Sequence, residues 1–308
     1  MKDAPLPISS VLPPLPNGWW AQSYKVLAGG RLAVVGADAD LWAAWKADRE
    51  LRTVNQTARL AAQATAKVWT VQGEGLIEEV QFALLDAFPM IDQFPDGRWL
   101  AAHARSRGER NGRVLSRDGD ELRRVQLGDG INHIKIDDRQ RIWVGWFDEG
   151  VFGNDHWRVP GLKYAPSAYG IAAFDDHGTL VAHASLPSIA DCYALNAFGR
   201  EVWSCTYTEF PLWRMTDQAE STWQTSLTGV SAIAVNFPHV VAVGGYGGDR
   251  DRVVLLKLEG ASARKVDEWR MPLLARDSLS RIDGRGDEVH AVCDGRWHRW
   301  RVRDFVKA

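Results

Sequence analysis

The stretch Ile131-Asn-His-Ile-Lys-Ile-Asp-Asp-Arg-Gln-Arg-Ile-Trp-Val-Gly145 decides the fold. An apolar run leads into a polar bend, and a second apolar run follows with a tryptophan in it. That order is the grammar of an antiparallel hairpin, because short polar residues supply the bend while the flanks bury their side chains. It recurs in Met90-Ile-Asp-Gln-Phe-Pro-Asp-Gly-Arg-Trp-Leu-Ala-Ala102 and in Cys192-Tyr-Ala-Leu-Asn-Ala-Phe-Gly-Arg-Glu-Val-Trp-Ser204. Weaker copies run over residues 231–244 through Asn236 and Pro238, 279–293 through Gly284 and Gly286, and 24–36 through Gly29 and Gly30.

Segments of a second kind lie between these hairpins, at residues 112–127, 170–182 and 212–223. Their apolar residues alternate with charge: Leu122, Val125 and Leu127 stand against Arg123, Arg124 and Gln126. The hairpin strands, such as Ile142-Trp-Val144 and Val240-Val-Ala-Val243, are apolar on both faces. Inner strands buried on both sides and outer strands wetted at the rim are expected of four-stranded sheets stacked radially around an axis. The 15 tryptophans fit this arrangement, because sheets packed face to face need large rings between them.

Hairpins beginning at Tyr24, Met90, Ile131, Cys192, Ser231 and Leu279 give six units, spaced from about 40 to 66 residues. Propeller blades repeat every 40–50 residues or so. The expected fold is therefore all-β: a single β-propeller domain over residues 1–308, with six four-stranded blades and seven as the alternative. Two intervals are long. The excess after Gly145 reads as an insertion over residues 153–168, and the Ala-rich excess between Asp38 and Asp86 as an excursion or a degenerate seventh blade. The last unit ends at Trp297-His-Arg-Trp-Arg-Val302, one strand short. Pro7-Ile-Ser-Ser-Val-Leu12 would supply that strand, closing the ring and removing an exposed edge. The run Arg141-Ile-Trp-Val-Gly-Trp-Phe-Asp-Glu-Gly150 resembles repeats of sensor-type propellers of the two-component-regulator kind, a resemblance that implies a ligand-reading or scaffold role.

Lys and Arg total 37 against 39 Asp and Glu, a net charge of −2 that gives no general attraction to nucleic acid or to an anionic membrane. The N-terminal residues include Pro5, Pro7, Pro13, Pro14 and Pro16 and lack the apolar core of a leader. No later apolar run approaches the eighteen or so residues of a bilayer span. No membrane partner is expected, and the expected location is cytoplasmic. The three cysteines suit a reducing compartment; Cys192 and Cys205, symmetric about the turn at Phe198-Gly199, read as packed thiols or a cross-strand disulfide.

In such a ring, the loops that enter the inner strands gather at one face with the loops joining second to third strands. Loops on a rigid scaffold are where ligands are met. This places Asp92, His133, Asp191 and Ser231 where inner strands begin. The second-to-third loops hold His103-Ala-Arg105, Trp146-Phe-Asp148-Glu149, Tyr207-Thr-Glu209 and Gly244-Gly-Tyr-Gly-Gly-Asp-Arg-Asp251. The expected ligand-binding residues are Arg105, His133, Trp146, Asp148, Glu149, Tyr207, Glu209, Tyr246 and Asp249. The glycine-rich loop lacks the Gly-Lys-Ser/Thr ending and the following helix of a phosphate cradle, so it reads as a loop presenting Tyr246.

Asp148, Glu149, Glu209, Asp249 and Asp294 are hard oxygen donors that a divalent cation would need gathered at one place. The eight histidines show no His-x-His or His-x-x-x-His spacing, and Gly-x-Ser-x-Gly is absent. No metal or cofactor is therefore expected. Eight arginines between Arg98 and Arg124 stand among Glu109, Asp118, Asp120 and Glu121, as on a solvated blade edge. The leading expectation is a non-catalytic module that binds a protein or a small molecule on the loop-rich face. The alternatives are a lactonase-like hydrolase or lyase with carboxylates around a divalent cation, and a scaffold that mediates oligomerisation.

Overall fold

In the computed structural model the described residues are 2–52, 56–106, 109–186, 188–217, 219–276 and 281–308. Their strands form six antiparallel sheets, each of four sequential strands except where the N-terminus intervenes. Blade one holds Trp20–Val26, Leu32–Ala37, Thr65–Gln72 and Gly75–Ala83; blade two holds Met90–Gln93, Trp99–Ala102, Gly112–Leu115 and Glu121–Val125. Blade three holds Ile131–Ile136, Ile142–Trp146, Ile171–Phe174 and Leu180–His183; blade four holds Asp191–Phe198, Glu201–Tyr207, Leu212–Met215 and Glu220–Trp223. Blade five holds Val230–Asn236, His239–Gly244, Arg252–Glu259 and Ser262–Arg270; blade six holds Arg281–Arg285, Glu288–Cys293 and Arg296–Arg301. The chain is a six-bladed β-propeller. Leu279, where the sixth hairpin was expected to begin, lies outside the described residues.

The fourth strand of blade six is Ile8–Val11, which pairs antiparallel with Arg296–Arg301 in the register Ile8 opposite Arg299 and Val11 opposite Arg296. The N-terminal strand thus closes the ring, as the sequence suggests. A second N-terminal strand, Lys2–Asp3, was not foreseen; it adds a parallel edge to blade five beside Trp269 and Arg270. The short helix Val302–Val306 ends the chain with Phe305 buried against Trp269, ring centroids 5.3 Å apart.

The two long intervals are excursions from the loop-rich face. Helices Leu41–Glu50 and Gln56–Ala61 leave between the second and third strands of blade one. The Asp40 side chain starts the first by accepting from Ala43 N at 3.0 Å, satisfying one of the backbone donors a helix start leaves open. The seventh-blade alternative falls here, because the remaining residues of that interval are the two outer strands of blade one. The second excursion holds helix Asp148–Gly153 and folds back so that Trp157 stacks on Phe174.

Core layers lie between neighbouring blades. Between blades two and three, Phe94, Leu100, Val114, Ile134, Val144, Trp146 and Phe174 pack together. Strand tryptophans fill these layers: Trp99, Trp143, Trp203, Trp213, Trp223, Trp269 and Trp297 are all buried. The axis is closed by side chains. Arg285 donates to Asp92 Oδ2 at 2.9 Å and to Ile136 O at 2.7 Å, tying blades six, two and three. Asn196 of blade four bonds Ile233 O and Gly286 O at 3.0 and 2.9 Å, tying blades five and six. Gly284 has no room for a side chain there, since a Cβ would stand 1.9 Å from Ile233 O.

A shared irregularity marks the loop-rich ends of the inner strands. Pairing with the second strand slips between Ala21 and Ser23, Ile131 and His133, Cys192 and Ala194, and Val230 and Ala232. In four blades one residue is therefore bulged out at the equivalent place: Gln22, Asn132, Tyr193 and Ser231. A bulge bends the strand and re-aims the side chains beside it, and bulges are common next to functional sites. It also corrects the expected geometry of the two cysteines. With Tyr193 bulged, Cys192 pairs with Thr206 and Cys205 with Ala194. Successive residues of a strand face opposite sides, so Cys205 packs toward blade five and Cys192 toward blade three; both are free and buried.

Candidate functional site

The loop-rich end of the axis opens into a cavity of about 420 Å³. Gln22 to Lys25 of blade one, Met90 and Ile91 of blade two, Asn132 and His133 of blade three, and Ile282 and Asp283 of blade six line it. Trp42, from the first excursion helix, and Phe88 roof one side, their ring centroids 4.3 Å apart. The Trp42 indole is fixed by a 3.1 Å bond from Nε1 to Ala21 O. The side wall is thus aromatic and preset.

The floor is charged. Lys135 is fully buried and donates to Asp283 Oδ1 at 2.7 Å and to Gly284 O at 3.1 Å. On the cavity side, Lys25 Nζ lies 3.7 Å from Asp283 Oδ2. Burial pulls the Lys135 ammonium down to about 7 even though Asp283 favours its charge. Burial would raise the Asp283 carboxyl, but Lys135 and Lys25 together hold it well below the ordinary range, so it is ionised. His133 gives its Nε2 proton to Tyr193 O at 3.1 Å, and burial lowers its pKa to about 4; the ring is neutral at physiological pH. Among the described residues that line the cavity, one buried acceptor stands unpartnered. Gln22 donates its Nε2 to Trp20 O at 3.0 Å, which leaves Oε1 without a donor.

Beside this cavity, the bulged Tyr193 carries a second cluster. Its hydroxyl meets that of Tyr246 at 2.8 Å, and Tyr193, Tyr207, Phe210 and Tyr246 meet at centroid distances of 5.3 to 6.3 Å. Asp191, directly opposite Tyr207, has its carboxyl raised to about 6 by burial and by the nearby Asp148.

Of the expected binding residues, His133 lines the cavity, and Tyr207 and Tyr246 join the aromatic cluster. Trp146 is not at the face at all. It is fully buried between blades two and three and donates to Leu127 O at 2.9 Å, because its strand alternation turns it into the interblade layer. Arg105 and Glu149 pair with each other at 2.5 Å. Asp249 is engaged by Arg270, and Glu209 stands exposed. The carboxylates named for a cation are thus spread over separate loops, and among the described residues no three His, Cys, Asp or Glu side chains are gathered as metal ligands. Asp92, expected at a loop, is buried in the axis on Arg285. The arginine cluster resolves into ion pairs such as Arg98 with Asp176 and Arg113 with Glu121; Arg107 lies outside the described residues.

Sequence reading missed Gln22, Lys25, Trp42, Phe88, Lys135 and Asp283. A signal was present for Lys135, since a lysine within the apolar inner strand Ile131–Ile136 must find a buried partner. Its partner, 148 positions later, had no such mark.

No family profile matches this sequence, and neither does any curated protein. Solved structures resemble it in fold. One from a mitotic checkpoint complex aligns over 95% of this chain and 81% of its own, at 10% identity and a TM-score of 0.56. A functionally unknown protein from Desulfotomaculum acetoxidans covers 86% and 74%, at 11% identity and 0.54. A catalytically inactive virginiamycin B lyase from Staphylococcus aureus, crystallised with quinupristin, covers 94% and 98%, at 10% identity and 0.51. At such identities the likeness is one of propeller architecture, which hosts unrelated activities. Among the described residues, no helix is long and apolar enough to cross a membrane.

Proposed function

We propose that this propeller is a small-molecule-binding module whose ligand occupies the cavity at the loop-rich end of the axis. The observation that carries this reading is the cavity itself. It is concave, of about 420 Å³, with an aromatic wall and a few convergent polar groups, which is the usual make-up of a ligand pocket. A flat protein-docking face would not need a roof of Trp42 and Phe88 or a charged floor. The axis below is closed, so a ligand enters and leaves by the same mouth.

The test is calorimetric titration of the purified protein with hits from a fragment screen. Trp42→Ala removes a large share of the wall, and the expected result is at least about tenfold weaker binding, since burying an aromatic side chain is worth more than 1.4 kcal/mol. Melting of the variant separates this effect from misfolding, because Trp42 lies on an excursion outside the blade layers. Hits that bind Trp42→Ala as tightly as the parent protein would place the ligand elsewhere and end this reading.

A further inference from the structure

We infer that the ligand of this cavity is a small carboxylic acid with a flat apolar body, and that Lys25 is its anion anchor. The inference rests on the pocket reading above and adds the chemical class. Around the floor stand two ammonium groups, Lys25 and Lys135, and one carboxylate, Asp283. The short bond of Asp283 goes to Lys135 at 2.7 Å, on the side away from the cavity. Lys25 keeps only a 3.7 Å contact with the other oxygen, and that oxygen also receives Val26 N at 3.4 Å. An ammonium carries three donors. Among the described residues, Lys25 therefore faces the cavity with donors uncommitted and a positive charge that Asp283 shares with a second lysine.

The remaining ionisable groups agree. His133 is neutral, and the Asp92–Arg285 pair lies deeper in the axis and balances itself at 2.9 Å. Among the described residues that line the cavity, Asp283 is the only carboxylate, and it is already taken. A carboxylate on the ligand would complete the set with a charge-assisted bond, which is shorter and stronger than a neutral one. The wall of Trp42, Phe88 and Met90 suits a planar apolar body. Gln22 Oε1, buried without a donor, asks for an N–H or O–H on that body, because an unmet buried acceptor costs free energy that a ligand donor recovers.

The experiment compares matched pairs: indole-3-acetate and 2-naphthoate against their primary amides, titrated calorimetrically into the full chain at about pH 6, where Lys135 holds its proton. The acids are expected to bind at least about tenfold more tightly than the amides. Lys25→Met keeps the aliphatic stem and should abolish the preference for each acid over its amide. Lys25→Arg should restore the preference, and melting curves check that both variants fold. Equal binding of acid and amide by the parent protein, or a preference that survives Lys25→Met, would overturn the anion anchor and leave the pocket standing. Failure of every acid and amide to bind would overturn the pocket reading and the anchor together.

Discussion

The seam between blades two and three and the seam between blades six and one are built differently. Among the described residues the first buries seventeen apolar side chains in one layer, the second only four: Val26, Leu32, Val292 and Trp297. The first joins blades made from consecutive chain, whereas the second is where the two ends of the chain meet. Where apolar area is scarce, polar and aromatic contacts replace it. His290 stacks on Trp297 and accepts its indole N–H at 3.1 Å, which fixes the imidazole proton on Nε2. That nitrogen lies 3.3 Å from Glu288, without hydrogen-bond alignment, and Arg301 donates to the same carboxyl at 2.8 Å. Across the seam Gly30 packs so closely that a Cβ would stand 2.7 Å from Glu288 Oε2; its φ of +73° also favours glycine. Further out, the linking segment fills the gap, with Trp19 edge-on to Trp69 at 5.1 Å. A ring can thus be closed by specific contacts where the hydrophobic layer is thin.

This contrast can be broken at either seam. The largest effect is expected from Trp146→Ala, which opens a hole in the thick layer and strands Leu127 O. It should cost about 4 kcal/mol in urea unfolding. A loss below about 1 kcal/mol would mean the layer is not what holds those blades.

The closing seam should instead be sensitive to acid. His290 and Arg301 hold the Glu288 carboxyl down at about 2, against 4.5 for a free glutamate. Because the folded value is depressed, its stabilisation is complete above about 4.5 and is lost as the pH falls through 2. We expect on the order of 2 kcal/mol, since Arg301 is partly exposed and screened by water. Glu288→Gln should remove most of that acid-dependent component while leaving the rest of the pH profile in place. An unchanged acid limb would show that the carboxyl is not coupled to closure.

The smallest expected effect needs no mutation. In native-state hydrogen exchange, Ile8–Val11 and Arg296–Arg301 should open before Ile142–Trp146, because local opening starts where little apolar surface is buried. Simultaneous exchange would mean the ring opens as one cooperative unit.

The hairpin grammar was legible because it is local. Turn residues and tryptophans sit within a dozen positions of one another, and strand burial on one or both faces writes itself into adjacent residues. The repeated pattern gave the blades, and the missing last strand pointed to Ile8–Val11. The helices between Asp38 and Asp86 showed only as alanine excess, since short helices carry a weak periodic signal.

The face that gathers the loops can be assigned from the repeat, which is why His133, Tyr207 and Tyr246 read as site residues. Their roles cannot be assigned that way. One bulged residue near the start of four inner strands decides which side chains turn toward the cavity, and a one-residue slip reverses every side chain beyond it. The bulge is why Cys192 and Cys205 read as facing and lie on opposite sides of a sheet. Trp146, by contrast, reads as a loop aromatic and is core because the alternation of its own strand carries it into the layer that holds Val144. The sequence by itself determined six blades and the closing strand, because each is encoded in neighbouring residues. Only the tertiary structure decided that Gln22, Lys25, Trp42, His133 and Asp283 share one cavity. They come from an excursion helix and three blades up to about 260 positions apart, and only ring closure sets the last blade beside the first.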